Sequence, residues 1–422
     1  MDTRTNEQAL RREAIRRLVQ GEKRLAICQD LNRSLRWLDK WWAKYRANPQ
    51  ADLAAQSRAP HTSPQATAPA VVAAVVTVRR TLEAATMPET RYGLIGPRAI
   101  QTRLADLDIA PPSLATIQRI VQAHGLTHPR GAGKDLAYYP WPAAWAVNTI
   151  HAMDIITRHL HGGEEIQNFH TIDHYSHAVY LSQHSDKNSV TTSEHLLATW
   201  SILGLPQLQQ LDNEASFCGG YTHRRVFGRV VRLCLFCGIE PLFTPYYEPK
   251  RNYQIESFHS VWAQAFWTRQ EFRNVAHVRN EVPLFVRWYH HCYRPPTLAG
   301  QTPAQVRRGA CVVRLTPALR RLIPNGRLPL VAGRLHFMRR VDTAGHIELL
   351  NETWSVGPKW SGEYVRATIN TATQRLTIWS KPDAESDWHL LKTYAYRLKE
   401  TVQSVIPAFR RKHARCREYL PG

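Results

Sequence analysis

Residues 145–183 read WAVNTIHAMDIITRHLHGGEEIQNFHTIDHYSHAVYLSQ. Three runs rich in apolar and β-branched residues, 145–157, 166–173 and 178–183, are separated by turn residues, and such a succession predicts three strands. A charged residue seldom interrupts a run of this kind without a reason, and Asp154 does so inside MDII (153–156). Downstream the texture alternates. A helix is expected over 193–203, a short buried strand over 208–211, a helix over 229–237 and a strand over 241–243. Long helices then run through Glu256 and over 275–293. Three strands followed by alternating helix and strand describe a mixed sheet with helices against it.

Two more acids stand at informative places. Asp212 ends the strand in QQLDN (209–213), and Glu256 lies in the first turn of a helix in NYQIESFH (252–259). If the strand ends meet beside that helix, Asp154, Asp212 and Glu256 form one cluster. Adjacent carboxylates resist joint ionisation, so such a cluster calls for cations. Mg²⁺ or Mn²⁺, as a pair of ions about 4 Å apart, suits hard oxygen ligands and in-line phosphoryl transfer.

Toward the amino terminus, 1–47 predicts three short helices in a helix-turn-helix pattern. Arg33, Arg36 and Lys40 are expected on its third helix, positioned to reach DNA phosphates or base edges. A plain three-helix bundle with solvated charges would show the same stripes. The Ala/Ser/Thr/Pro/Gln-rich stretch 48–70 marks a linker. Residues 71–130 suggest a second helix-turn-helix with Pro97 opening a helix, Ser113 capping the next and Arg119 on its surface. Toward the carboxyl terminus, strands are expected at 336–341, 346–350, 354–356, 365–370 and 376–380. They suggest a small β-barrel over 330–385, with a basic tail over 393–422 holding Arg410, Arg411, Lys412, Arg415 and Arg417.

The 422 residues exceed one compact core, and 55 Lys plus Arg against 34 Asp plus Glu give a formal charge of +21. That balance favours nucleic acid as partner over a membrane. No apolar run approaches a membrane span and the polar start is unlike a signal peptide, so a cytoplasmic location is expected. Seven scattered cysteines do not suggest a disulfide framework. Cys234 and Cys237, with Cys218 and His223 upstream, have a zinc-like spacing, but they fall in an apolar helical stripe where cysteine behaves as a small hydrophobe. Trp262, Phe266, Trp267 and Arg269 are mostly core candidates, with one or two left as candidates to stack on DNA.

HAMDII, TIDHYSHAVY, LDNEASF, FTPYYEPKRNYQIESFH and WYHHCYRPPTLAGQTPAQ follow one another in this order. With the segment around QSRAPHTSP, they make the chain resemble bacterial insertion-sequence transposases with a retroviral-integrase-like core over nearly its whole length. The resemblance implies an RNase H-like core over 140–295. It gives Asp154, Asp212 and Glu256 the catalytic roles, double-stranded DNA as partner, a homo-oligomer on two DNA ends, and a nucleoid-associated place in the bacterial cytoplasm. The β-rich module looks like the barrel that follows the core in phage Mu-type transposases. Two positions depart from the family pattern: Glu214 and Tyr253 stand where glycine is usual, and their bulk is expected to crowd the metals. The interval from Asp212 to Glu256 is also longer than usual, with the excess expected in the loop 218–228. A DNA-binding protein without catalysis and an RNase H-type nuclease are the alternatives.

Overall fold

The computed structural model describes residues 3–50, 53, 66–86, 90–127, 138–214, 217 and 224–410. Most of the expected linker, Cys218, His223 and the basic residues Arg411, Lys412, Arg415 and Arg417 lie outside them. The chain forms two compact units, Met1–Ala68 and Pro69–Gly422.

In the first unit, α1 (Thr3–Val19), α2 (Arg24–Asp30) and α3 (Leu35–Ala47) pack around Ala14, Ile27 and Leu38. Gly21 ends the first of these turns at φ +86°, a conformation that glycine adopts without a Cβ clash. The Ser34 hydroxyl caps α3 by accepting from the Trp37 amide at 3.2 Å.

The second unit opens with α4 (Pro69–Ala84), α5 (Pro97–Asp106) and α6 (Leu114–Ala123), packed through Val75, Ile100, Leu104 and Ile117. Pro97 sits in the first turn of α5, and Ser113 caps α6 by accepting from the Thr116 amide. Arg269 ties these helices to the rest of the unit, donating to the carbonyls of Leu82, Glu83 and Gly93 at 2.8–3.1 Å. This explains a basic residue among aromatics. Trp262 and Phe266 are completely buried core side chains and cannot stack on DNA.

The sheet begins with β1 (Ile150–His159), β2 (Glu165–Asp173) and β3 (Val179–His184), all antiparallel neighbours. β1 starts later than the apolar run because Thr149 bonds back to Ala146 in a turn. α7 (Ser189–Ile202) starts earlier than its apolar stripe because the Asn188 side chain accepts from the Val190 and Thr191 amides. Then come β4 (Leu208–Leu211), α8 (Arg229–Phe236), β5 (Glu240–Phe243), α9 (Tyr253–Ala265) and α10 (Val275–His291). β4 lies parallel to both β1 and β5. One face of the sheet buries Met153 and Phe169 with α7 and α8, including Cys234 and Cys237, and the other buries Ala152 and Ile172 with α9 and α10.

The last part does not form the small β-barrel expected of it: four of its described strands join the sheet of the core. Its strands are β6 (Leu330–Val331), β7 (Arg334–Arg340), β8 (His346–Leu349), β9 (Glu352–Ser355), β10 (Tyr364–Asn370), β11 (Arg375–Ser380), β12 (His389–Ala395) and β13 (Val402–Gln403). β7 pairs in parallel with β5, so one nine-stranded sheet runs β12-β11-β10-β7-β5-β4-β1-β2-β3. Among the described residues this order stays open at both edges, while β8 and β9 form a separate hairpin. β12 extends beyond the strands read from the sequence. No helix among the described residues is long and apolar enough to cross a membrane.

Candidate active site

Strand alternation puts Asp154 on the same face of β1 as Ala152 and Ile156, the face covered by α9. The parallel pairing of Ala152 with Gln210 sets the register, and two residues further along each chain stand Asp154 and Asp212. The Gln210 side chain donates to the Asn252 carboxamide at 2.7 Å and so pins the entry of α9 to β4. One turn later comes Glu256. The sheet register and this bond bring Asp154, Asp212 and Glu256 to one open cleft of about 490 Å³.

All three carboxyl groups are pushed up from their ordinary values. Burial is the leading cause for each. Asp154 reaches about 7, with the Asp212 charge adding to burial and the Ile155 amide, 2.8 Å from its Oδ1, working the other way. At Asp212 the Glu214 amide, 3.0 Å from Oδ1, opposes burial. Glu214, Glu248 and Glu348 add further acids to the lining. A protein with an excess of positive charge thus keeps a local acidic hollow, and such a hollow suits cations.

Sequence reasoning missed His259, although it stands one helical turn after Glu256. Its Nδ1 lies 3.8 Å from Asp154 Oδ2 and 4.0 Å from Glu256 Oε2. These three side chains, not the three acids, are the closest-set group of possible metal donors among the described residues, with ligand atoms within 4.8 Å of one another. Burial holds the His259 ring down to about 3, with Arg158 adding to it. His170, paired with Asp154 across β1 and β2, is buried against His259 with its ring 5.2 Å away.

The C-terminal strands also build the cleft. Arg339 on β7 donates to Asn213 Oδ1 at 2.7 Å and to the Thr244 carbonyl at 2.9 Å, while its guanidinium lies 4.1 Å from the Tyr246 ring. Glu348 and Asn351 from the β8–β9 hairpin line the cleft. Arg251 is held between the rings of Tyr139 and Tyr364 and donates to Glu248 and to the Tyr364 hydroxyl. Tyr253 does not crowd the acids: it is absent from the cleft lining and meets Trp141 edge-on at 4.7 Å. Glu214 does line the cleft, paired with Lys187 at 2.8 Å.

No family model matches this chain, and no curated protein does. Among solved structures it is similar to a chain of the simian T-cell lymphotropic virus intasome in complex with PP2A regulatory subunit B56 gamma. That match has 13% identity and a TM-score of 0.33, covering 69% of this chain and 91% of that one. It is also similar to the HTLV-2 integrase catalytic core domain in complex with magnesium (16% identity, TM-score 0.30, 40% and 100% covered). A third is the catalytic core domain of BIV integrase (15%, 0.29, 38% and 93%).

The residues expected to meet DNA lie apart from this cleft in the sequence. Arg36 and Lys40 are exposed on α3. Arg33 is not on α3 as expected but two residues before it, and its guanidinium is engaged by Glu7. Arg119 is exposed on α6, where it donates to the Thr116 hydroxyl.

Proposed function

We propose that the protein is a metal-dependent DNA transposase or integrase that cuts the ends of a mobile element and joins them to target DNA. The observation that carries this reading is the convergence of Asp154, Asp212 and Glu256 from β1, the end of β4 and α9 on one cleft, with all three carboxyls pushed upward. Oxygen donors that repel one another fit Mg²⁺ or Mn²⁺. A pair of such ions held by these residues would neutralise the cluster and polarise the reacting phosphodiester.

Asp154 stands on β1, beside β4 and on the face that α9 covers, and would be the candidate to serve both ions, with Asp212 and Glu256 each serving one. In the first step water attacks phosphorus at the element end, and the bond to the 3′ oxygen breaks. In the second the freed 3′-hydroxyl attacks a target phosphodiester and joins its 5′ phosphate, while the bond to the target's 3′ oxygen breaks and that oxygen leaves as a hydroxyl. No serine or tyrosine nucleophile takes part. The excess positive charge of the chain supports a polyanionic substrate. Arg36, Lys40 and Arg119 are proposed to hold double-stranded end DNA, in a homo-oligomer that brings two ends together. The same reading puts the protein in the bacterial cytoplasm.

The test uses full-length protein and DNA carrying the inverted repeats that flank its gene. Nicks bearing 3′-hydroxyls and joined products should form with Mg²⁺ or Mn²⁺ and not in chelator. Binding to those ends without cleavage in either ion would leave a DNA-binding protein derived from such an enzyme.

A further inference from the structure

The acids do not close the site alone. We propose that His259 supplies a nitrogen ligand to the same metal site, which makes it a mixed carboxylate and imidazole centre. This inference rests on the metal-dependent reading above and deepens it.

The separations of Nδ1 from Asp154 and Glu256, 3.8 and 4.0 Å, are too long for hydrogen bonds. They suit atoms that share an ion: two ligands each about 2.1 Å from one cation stand roughly 3 Å apart when adjacent and about 4.2 Å when opposite. The helix supplies the spacing. Residues three apart lie on one face, and Glu-x-x-His on a helix is the unit that carboxylate-rich metal proteins project inward for this purpose. Glu256 and His259 stand in that relation on α9.

The imidazole is an independent sign. His259 is 8% exposed, and its Nε2 is buried without a hydrogen-bond partner among the described residues. With the proton on Nε2, the ring turns a lone pair toward two carboxylates. Three acceptors facing one another need a cation between them. An imidazole donor shifts a site away from Mg²⁺, which prefers oxygen, toward ions such as Mn²⁺.

Mn²⁺ bound to the full-length protein and read by pulsed electron paramagnetic resonance tests this without any turnover. A ¹⁴N coupling should appear, convert to ¹⁵N in protein labelled at histidine, and vanish in His259→Gln. That variant should lose about tenfold in Mn²⁺ affinity while Mg²⁺ affinity changes by less than about threefold. Mn²⁺ binding that Asp154→Asn abolishes but that carries no nitrogen coupling would overturn the role of His259 and leave the acidic metal site standing. A coupling that survives in His259→Gln would overturn it equally. Absence of any Mn²⁺ binding would sink both readings. The labelling experiment needs only wild-type protein, so a variant that fails to fold does not rescue the proposal.

Discussion

Arg339 on β7 grips Asn213, the residue after Asp212, at 2.7 Å. The C-terminal strands therefore fix the backbone on which one of the three acids stands. Arg339 is 3% exposed, so its removal takes a charged donor from buried acceptors. Arg339→Met is expected to destabilise the protein by about 2 kcal/mol and to lower cleavage by more than the stability loss explains. Arg339→Lys should recover stability in part, because its point charge cannot reproduce the fork. Thermal melts alongside end cleavage measure both, and unchanged cleavage in a folded Arg339→Met protein would remove the link to Asp212.

Neutralising the acids should separate chemistry from binding. Asp154→Asn, Asp212→Asn and Glu256→Gln are each expected to reduce cleavage at least about a hundredfold, with Asp154→Asn the most severe, while affinity for end DNA stays within about twofold. In chelator Asp154→Asn should melt higher than wild type, since it removes a charge that burial and Asp212 oppose. A lower melting temperature in chelator would show that the cluster is not electrostatically loaded.

The two departures from glycine should behave differently. Tyr253→Gly is expected to cost about 1 kcal/mol of helix stability and leave the cleavage rate unchanged, because the ring lies against Trp141. Glu214→Gly removes an acid from the cleft lining and should lower the rate severalfold at limiting Mg²⁺ while approaching the wild-type rate at saturating Mg²⁺. Cleavage assays across a metal titration distinguish these outcomes. A rate gain in Tyr253→Gly would restore the idea that the ring crowds the metals.

Buried histidines should make the fold acid-labile. Burial holds His174 and His195 down to about 3, and His195 bonds the hydroxyls of Thr171 and Ser182 through its two ring nitrogens. The unfolded chain takes up protons at both from about pH 6.5 downward, before the folded chain does. Their contribution is fully present above pH 6.5 and falls by roughly 1.4 kcal/mol per pH unit for each ring as pH drops toward 3. Urea unfolding at pH 7.5 and pH 5.0 should show the loss, and His195→Gln should flatten the slope by about one proton. Equal slopes in both proteins would refute the assignment.

Exposed basic residues should act through salt. Replacing Arg36, Lys40 or Arg119 by alanine is expected to reduce the salt dependence of binding to end DNA by roughly one unit of slope for each phosphate that is no longer neutralised. Arg33→Ala should act mainly through stability, because Glu7 already engages its guanidinium. Binding isotherms at several salt concentrations check this, and full binding by a chain lacking 1–130 would contradict it.

What was legible in the sequence was local. β4 could be read because a short apolar run stops at an acid, and α6 because Ser113 caps it. β12 was missed because most of its residues are exposed and show no clean apolar alternation. The β5–β7 pairing involves two residue pairs separated by nearly a hundred positions, and no short-range pattern announces it. Asp154, Asp212 and Glu256 stood out as acids in apolar settings, whereas His259 looked like an ordinary helix residue until its ring was seen opposite two carboxylates. Arg33 was assigned to α3 by its neighbours. Only its distant partner, Glu7, shows where its charge is spent.

The parallel seam between β5 and β7 also bears on how the chain is made. As the ribosome releases it from the amino terminus, β5 emerges with β4 ready to pair on one side, but its other edge waits until β7 follows. During that interval the nascent sheet offers an unpaired edge to any neighbouring chain. Slow or truncated synthesis in this stretch would favour aggregates over a smaller folded protein, and expression of the core by itself meets the same hazard.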